Sequence, residues 1–399
     1  MNSSPVSRRA FTAAAVAASS YSRISGANNR IHVGMIGVGG RGNDNIREIV
    51  RVKDLNVTIG GICDVWRPNR ERAVATVEKQ FGAKPKATTD YREMLGWKDL
   101  DAVVISTPDF SHPIILKAAV EAGKDAYVEK PFGVTFDDVK AAYLAVKRSK
   151  QVVQVGTQRR SDGRYQAAAK LVQSGGLGKI TRVEIGMHFQ QQRWKRQDEK
   201  VDPADVDWAA FQMGRIKKPF DPRLLREWQL FPETTNGIPG LWMCHFIDLV
   251  PWYTGDLYPA GAVSSGGVFL WKDGRVTSDV FYTLLDYPKE FIVLFCMSLT
   301  NSAGVRDTWY GTRGTLDSVK WVASGEGSSQ PDKLGEAIQI KPEVTNSHMH
   351  NFLECVRSRQ QPRADVQAGF SHAVAVIMSA EALAKGRRMR FDAAKLELA

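Results

Sequence analysis

Apolar positions between residues 30 and 155 fall into two alternating patterns. Short, mostly apolar runs at 31–36, 57–63, 102–106 and 126–128 read as strands, and 152–155 is counted as a sixth strand. Between them, 43–52, 68–81, 113–122 and 136–148 carry helical spacing; Pro68 opens the second of these segments and Gly123 closes the third. Strands alternating with helices predict a parallel, doubly wound sheet with ligands at the carboxyl ends of its strands. The pattern changes after about residue 180. Longer strand-like runs at 182–189, 262–270, 279–285 and 291–299 follow one another, with the turn signals Lys272-Asp273-Gly274 and Tyr287-Pro288-Lys289 between the later ones. Helical spacing returns only at about 348–357 and 366–385. Successive strands with few helices predict a mainly antiparallel sheet.

Composition is that of an ordinary globular chain, with 43% hydrophobic and 24% charged residues. The 54 Lys and Arg against 43 Asp and Glu give a net charge of +11, but the basic residues are scattered. No dense Lys/Arg run interleaved with aromatics stands out, so anionic small ligands are expected and nucleic acid is not. Cys63, Cys244, Cys296 and Cys355 lie far apart and suggest neither a metal cage nor a disulfide framework. His348 and His350 stand two apart where a helix begins and would not face each other, so no metal is expected there.

The first residues read as an address. Arg8-Arg9 precede a weakly apolar stretch over 13–18 and the small residues Ser25-Gly26-Ala27. Paired arginines, a short apolar region and a small-residue exit make the pattern of a twin-arginine export signal, expected over 1–29 with its linker. The apolar stretch is too short to span a bilayer, so the mature protein is expected in the periplasm or secreted, with no membrane contact after export.

The first strand runs into Gly37-Val38-Gly39-Gly40-Arg41-Gly42, whose glycines at 37, 39 and 42 fit GxGxxG. The first glycine allows a tight turn, the second lets the backbone approach a pyrophosphate, and the third lets helix pack on strand. Gly40 and Arg41 complete the turn that would bind the dinucleotide, on a helix N-terminus. Asp64 ends the second strand, where an acid takes the ribose hydroxyls of NAD and repels a 2′-phosphate; capping the helix at Pro68 is its structural alternative. Arg67 and Arg70 lie close behind and keep NADP as an alternative cofactor. The expected fold is therefore α/β, with a Rossmann doubly wound parallel sheet over 30–155. A C-terminal α/β domain with a large, mainly antiparallel open sheet, for substrate and oligomer contacts, is expected over 156–399.

Two further motifs make the reading specific. Thr107-Pro108-Asp109-Phe110-Ser111-His112 follows the fourth strand and Glu129-Lys130-Pro131 the fifth. With the glycine turn and Asp64, they resemble the Gfo/Idh/MocA oxidoreductases, over essentially the whole chain after the export signal. The resemblance implies cofactor contacts from Thr107, Pro108, His112, Glu129, Lys130 and Gln158, with Arg160 turned towards substrate. It implies catalysis by Lys130 and His245, substrate contacts from Trp242, His245 and Asp248, and a homo-oligomer, a dimer or tetramer. Some family members are exported by the twin-arginine route. Without the family, a cation at a strand's carboxyl end can stabilise a developing alkoxide, and a histidine near a carbinol can serve as general base. His245 and Asp248 lie three apart and share a face on a helix. Trp194, Trp208 and Trp228, like Trp242, are candidates for stacking on a sugar.

One departure stands out. Many dehydrogenases of this family place an aspartate four residues before that histidine, and this chain has Leu241 there, with Glu233 as the nearest earlier acid. Three functions follow as expectations. The first is an oxidoreductase moving hydride between NAD(P) and a CH–OH group of a sugar, polyol or glycoside. The second is a glycoside-cleaving enzyme that oxidises C3 transiently, and the third is a dinucleotide- and sugar-binding sensor without turnover.

Overall fold

The computed structural model describes residues 30–196 and 200–399, so the expected export signal lies outside the described residues. The chain first alternates strand and helix: β1 Ile31–Ile36, α1 Gly40–Arg51, β2 Val57–Cys63, α2 Arg67–Phe81, β3 Lys86–Thr88, α3 Tyr91–Leu95 and β4 Ala102–Ile105. It continues with α4 His112–Glu121, β5 Asp125–Val128, α5 Phe136–Arg148 and β6 Val153–Val155. The six strands form one parallel sheet in the order β3-β2-β1-β4-β5-β6. The strand order reverses beside β1, and the crevice at that switch point is where such a sheet takes its ligand. β3 escapes the apolar pattern because Lys86-Ala87-Thr88 is a three-residue edge strand with two exposed positions.

The second half holds α6 Gly163–Gln173, β7 Ile180–His188, α7 Trp208–Gln212, α8 Pro222–Arg226, α9 Cys244–Ile247 and α10 Leu249–Thr254. Then come β8 Gly261–Gly267, β9 Val280–Tyr287, β10 Phe291–Ser298, β11 Gly304–Gly311, β12 Gly314–Asp317, β13 Val322–Ser324 and β14 Ile338–Gln339. The chain ends with α11 His348–Ser358, α12 Val366–Lys385, β15 Met389–Asp392 and β16 Glu397–Leu398. Ten strands make one sheet, ordered β14-β13-β12-β11-β7-β10-β9-β8-β15-β16. β7 and β10 run parallel and the other neighbours antiparallel, so the sheet is mixed, with the antiparallel majority expected. Helices also appear well before 348: α6, and the nearly continuous helical segment from Pro239 to Thr254. The latter hid because it is apolar on nearly every side, which erases helical periodicity.

α12 joins the two halves. It is long and apolar enough to cross a membrane, yet lies mostly buried in the protein between the two sheets. A Cβ on Gly369 would stand 2.7 Å from Val155 and 2.8 Å from Phe132, which shows how closely this helix approaches the first domain. α11 lies beyond residue 156 in sequence but packs Met349, Phe352 and Leu353 into the core of the first sheet. The two halves therefore share hydrophobic core, and the cleft between them is a fixed feature of the packing.

Candidate active site

The site begins where β1 meets α1. Gly37 stands at φ 80°, and a Cβ there would lie 2.8 Å from the backbone of Ser106. A Cβ on Gly42 would lie 2.1 Å from the carbonyl oxygen of Gly37. Gly42 thus packs helix on turn and does not line the cavity, which corrects its place among expected cofactor contacts. Gly37, Gly39, Gly40 and Arg41 do line it. α1 starts at Gly40 with no side-chain cap, so its first N–H groups remain free at the cavity wall, where a phosphate is stabilised.

Asp64 is buried at the end of β2. Its carboxylate accepts N–H bonds from Val38 at 2.8 Å and Trp66 at 2.9 Å, which ties the glycine turn to the second strand. Burial raises its pKa, while these two bonds pull the other way. Each oxygen keeps a lone pair for a ribose hydroxyl. Arg67 pairs with Asp205, and Arg70 donates to the Asp64 carbonyl at 2.7 Å; neither lines the cavity.

The cavity, about 520 Å³, lies between the two halves. Thr107, Pro108, His112, Glu129 and Lys130 line it from the first domain. His112 ties the two motifs together, with its ring nitrogens 2.8 Å from the carbonyls of Pro131 and Thr107. Burial lowers its pKa against the pull of two oxygens that both ask for a donor. Glu129 is buried and receives Arg41 at 2.7 Å, Asn45 at 3.2 Å and Gln158 at 3.3 Å. Burial pushes Glu129 up, but Arg41, Lys130 and Asn45 together hold the carboxyl below the usual range. Gln158 reaches this network from behind and lines a second cavity of about 320 Å³, so its expected cofactor contact is replaced by support of Glu129.

From the second domain come Trp194, Trp228, Leu241, Trp242 and His245. Lys130, whose peptide to Pro131 is cis, donates through Nζ to the Leu241 carbonyl at 3.1 Å. His245 sits on α9 with its ring 6.1 Å from that of Trp242. Among the described residues its ring nitrogens have no hydrogen-bond partner. Burial, then the charges of Lys130, Arg159 and Arg41, push its pKa well below 6.5, so the ring is a neutral base. Trp208 stacks on Phe211 at 4.8 Å instead of facing the cavity.

Arg160 and Asp248 are the other correction. Arg160 donates to both carboxylate oxygens of Asp248, at 2.8 and 3.0 Å, and the pair is buried away from the cavity. Neither is placed to touch substrate. The pair fixes the segment after β6 to the helix that carries His245, and Asp248 makes no bond to the histidine itself. Glu233, the acid nearest before Leu241, is committed to Lys218.

The structure adds a group that the motifs left without a role. Asp109 is buried in the cavity wall, accepting the Thr235 hydroxyl at 2.6 Å, with Gly240 packed against it. Burial pushes its pKa from 3.8 to about 7, against Thr235 and the charge of Lys130. The native state therefore holds an extra proton between about pH 4 and 7, and Asp109 makes stability fall as pH rises through that window. Each unit of displacement is worth about 1.4 kcal/mol. His348 and His372, both pushed down to about 4, act in the opposite direction, losing stability as pH falls. Urea unfolding of wild type and Asp109→Asn separates the contributions: the variant is expected to gain stability at pH 8 relative to pH 5. Equal changes in both proteins would show that Asp109 does not titrate there.

The glycine turn, the acid ending β2 and the cleft closed by a mixed-sheet domain define a two-domain dinucleotide-binding α/β protein. Residues 31–157 match the NAD-binding Rossmann fold of the Gfo/Idh/MocA oxidoreductase family, and residues 169–391 match its C-terminal alpha/beta domain. The chain belongs to this family. It is 29% identical over 160 residues to inositol 2-dehydrogenase of Salmonella paratyphi B, covering 40% of this chain and 46% of that protein. It is 35% identical over 149 residues to inositol 2-dehydrogenase 3 of Saccharopolyspora erythraea, covering 37% and 42%. A glycosyl hydrolase family 109 protein of a Shewanella species is 27% identical over 185 residues, covering 45% and 39%. The matches thus span less than half the length of these curated relatives. Among solved structures, the WlbA dehydrogenase of Bordetella pertussis, in complex with NADH and UDP-GlcNAcA, shares the fold. It superposes with a TM-score of 0.69 at 18% identity, covering 91% of this chain and 99% of that one.

Proposed function

We propose that the protein is an NAD-dependent oxidoreductase that moves hydride to or from a CH–OH group of a sugar or polyol. The observation that carries this reading is the convergence of Lys130 and a neutral His245, from different domains, on the cavity that holds the glycine turn. The cradle fits a dinucleotide: Gly37 and Gly42 leave no room for a Cβ, Gly40 has nothing within 4 Å of one, and Asp64 stands at the ribose end. When bound, the nicotinamide supplies the hydride-accepting carbon. In the oxidising direction His245 takes the hydroxyl proton, and Lys130 steadies the negative charge that grows on that oxygen. The Leu241 carbonyl holds Lys130 where the family's aspartate would share this work.

NAD is the expected cofactor, because Asp64 opposes a 2′-phosphate while Arg67 and Arg70 are turned to other partners. Calorimetric titration with NAD and NADP, followed by a sugar and polyol screen for NADH formation, tests the reading. Tighter NADP binding removes the role given to Asp64, and no hydride transfer with any substrate removes the activity. A second reading, glycoside cleavage through transient oxidation, is favoured by Asp109, a carboxyl that titrates near neutrality in the same cavity. It calls for aglycone release without net NADH.

Two further parts of the proposal concern the protein's setting. Arg8 and Arg9 before an apolar stretch support export to the periplasm; Arg8→Lys with Arg9→Lys is expected to abolish periplasmic yield, and unchanged yield would refute the signal. A homo-oligomer is supported by the open face of the ten-stranded sheet, where Tyr282 and Leu284 on β9 and Ile292 on the neighbouring β10 are exposed.

A further inference from the structure

We infer that the substrate is an acidic sugar, whose carboxylate is held by Arg193 while its ring lies against Trp242. The inference rests on the oxidoreductase reading above and names the substrate class of that site.

Arg193 follows β7 and enters the cavity from the second domain. Its guanidinium carbon lies 4.7 Å from the centre of the Trp242 ring, and Trp242 neighbours His245. Nη1 donates to the Gln191 side chain at 3.2 Å. Among the described residues no carboxylate lies within ion-pair distance of Arg193, and burial alone lowers its pKa. The buried guanidiniums elsewhere behave differently: Arg160 pairs with Asp248 and Arg275 with Asp273. Taking a guanidinium out of water without a partner is costly, and a half-buried one in a ligand cavity is a position for an anion.

The other charges of the cavity sharpen this. Glu129 is committed to Arg41 and Asn45, and Asp64 to two backbone N–H groups. Arg196 lines the same wall as Arg193, its Nε donating to the Arg226 carbonyl at 3.1 Å, while Glu227, which accepts its backbone N–H, is shared by Lys195 and Arg223. No aspartate or glutamate of the second domain lines the cavity among the described residues, whereas Arg193, Arg196 and three tryptophans do. Tryptophan faces suit a sugar ring, and the planar fork of one guanidinium matches one carboxylate through two hydrogen bonds. Arg193 lies over Trp242, whose other neighbour is His245 at the reacting end of the cavity, and this assigns it to substrate instead of diphosphate.

The test uses matched ligands on the intact protein loaded with NADH. Calorimetry compares glucuronate with glucose and galacturonate with galactose, with glucose 6-phosphate and glucose 6-sulfate as separate arms, for wild type, Arg193→Gln and Arg193→Lys. Each uronate is expected to bind at least about tenfold more tightly than its neutral partner, the scale of a charge-assisted pair. In Arg193→Gln that ratio should fall to about one, with Arg193→Lys between. Equal binding of neutral and acidic partners, or no binding of either uronate, overturns the inference. So does tighter binding of the phosphate or sulfate ester than of the uronates. Weaker NADH binding by Arg193→Gln with an unchanged sugar ratio also overturns it, by giving Arg193 to the cofactor. NADH formation, followed with NAD in parallel, keeps the two readings apart. Arg193-dependent uronate binding without hydride transfer removes the oxidoreductase and keeps the ligand. Hydride transfer from neutral sugars alone does the reverse.

Discussion

Lys130→Met and His245→Ala are each expected to slow hydride transfer by about 10²–10⁴-fold, the usual loss when a positioned acid, base or cation is removed. Dinucleotide affinity should change little, because it rests mainly on the glycine turn, the uncapped start of α1 and Asp64. The expected size follows from the absence of a substitute. Leu241 offers only a carbonyl to Lys130, and the neighbouring acids of the cavity are engaged, Asp109 by Thr235 and Glu129 by Arg41. Interactions that grow as charge develops on the reacting oxygen act on kcat more than on ground-state binding, so KM should move less than kcat. The pH dependence gives a second readout. Burial and neighbouring cations hold His245 neutral well below pH 6.5, so its protonation should not quench the rate between pH 7 and 6, where an ordinary histidine would gain its proton. Single-turnover hydride transfer is the measurement to make. A His245→Ala enzyme that keeps most of the wild-type rate would make the histidine a seam residue.

The first domain was legible because its signals are local. Each strand before a ligand-bearing loop is a short, mostly apolar run, and each loop carries glycine or proline at the position the turn demands, as at Gly37 with φ 80°. Where the sequence misled, the deciding partner was distant along the chain. Arg160 looked like a substrate residue until Asp248, 88 positions away, took two of its three guanidinium nitrogens. Gln158 looked like a cofactor contact until Glu129 and Tyr127 took its amide. Arg193 gave no signal because it lies in a polar stretch without periodicity, and its meaning comes from Trp242 beneath it and from the lack of an ion-paired acid among the described residues. Asp109 was visible inside its motif but without a role, because its burial and its Thr235 partner, 126 positions away, show only in the fold.

Gly42→Ala is expected to destroy dinucleotide binding and to destabilise the fold by about 1–3 kcal/mol or more, as overpacking against rigid atoms does. The new Cβ would stand 2.1 Å from the Gly37 carbonyl oxygen and 2.9 Å from its carbon, both backbone atoms of the tightest part of the turn. Neither can rotate away, and Gly37 cannot yield, because it lies against the backbone of Ser106 at the end of β4. The helix must therefore lift from the strand. That moves the free N–H groups of α1 and the Val38 N–H bonded to Asp64, the two features that place phosphate and ribose. Gly40→Ala is the control. A Cβ there meets nothing within 4 Å, and alanine is the better helix former, so the fold should keep or slightly gain stability. Any loss of affinity in Gly40→Ala then reports on the approach of the diphosphate alone. Thermal unfolding and NADH titration of both variants separate the two effects. A Gly42→Ala protein with wild-type stability and affinity would show that α1 does not need this contact to hold the turn.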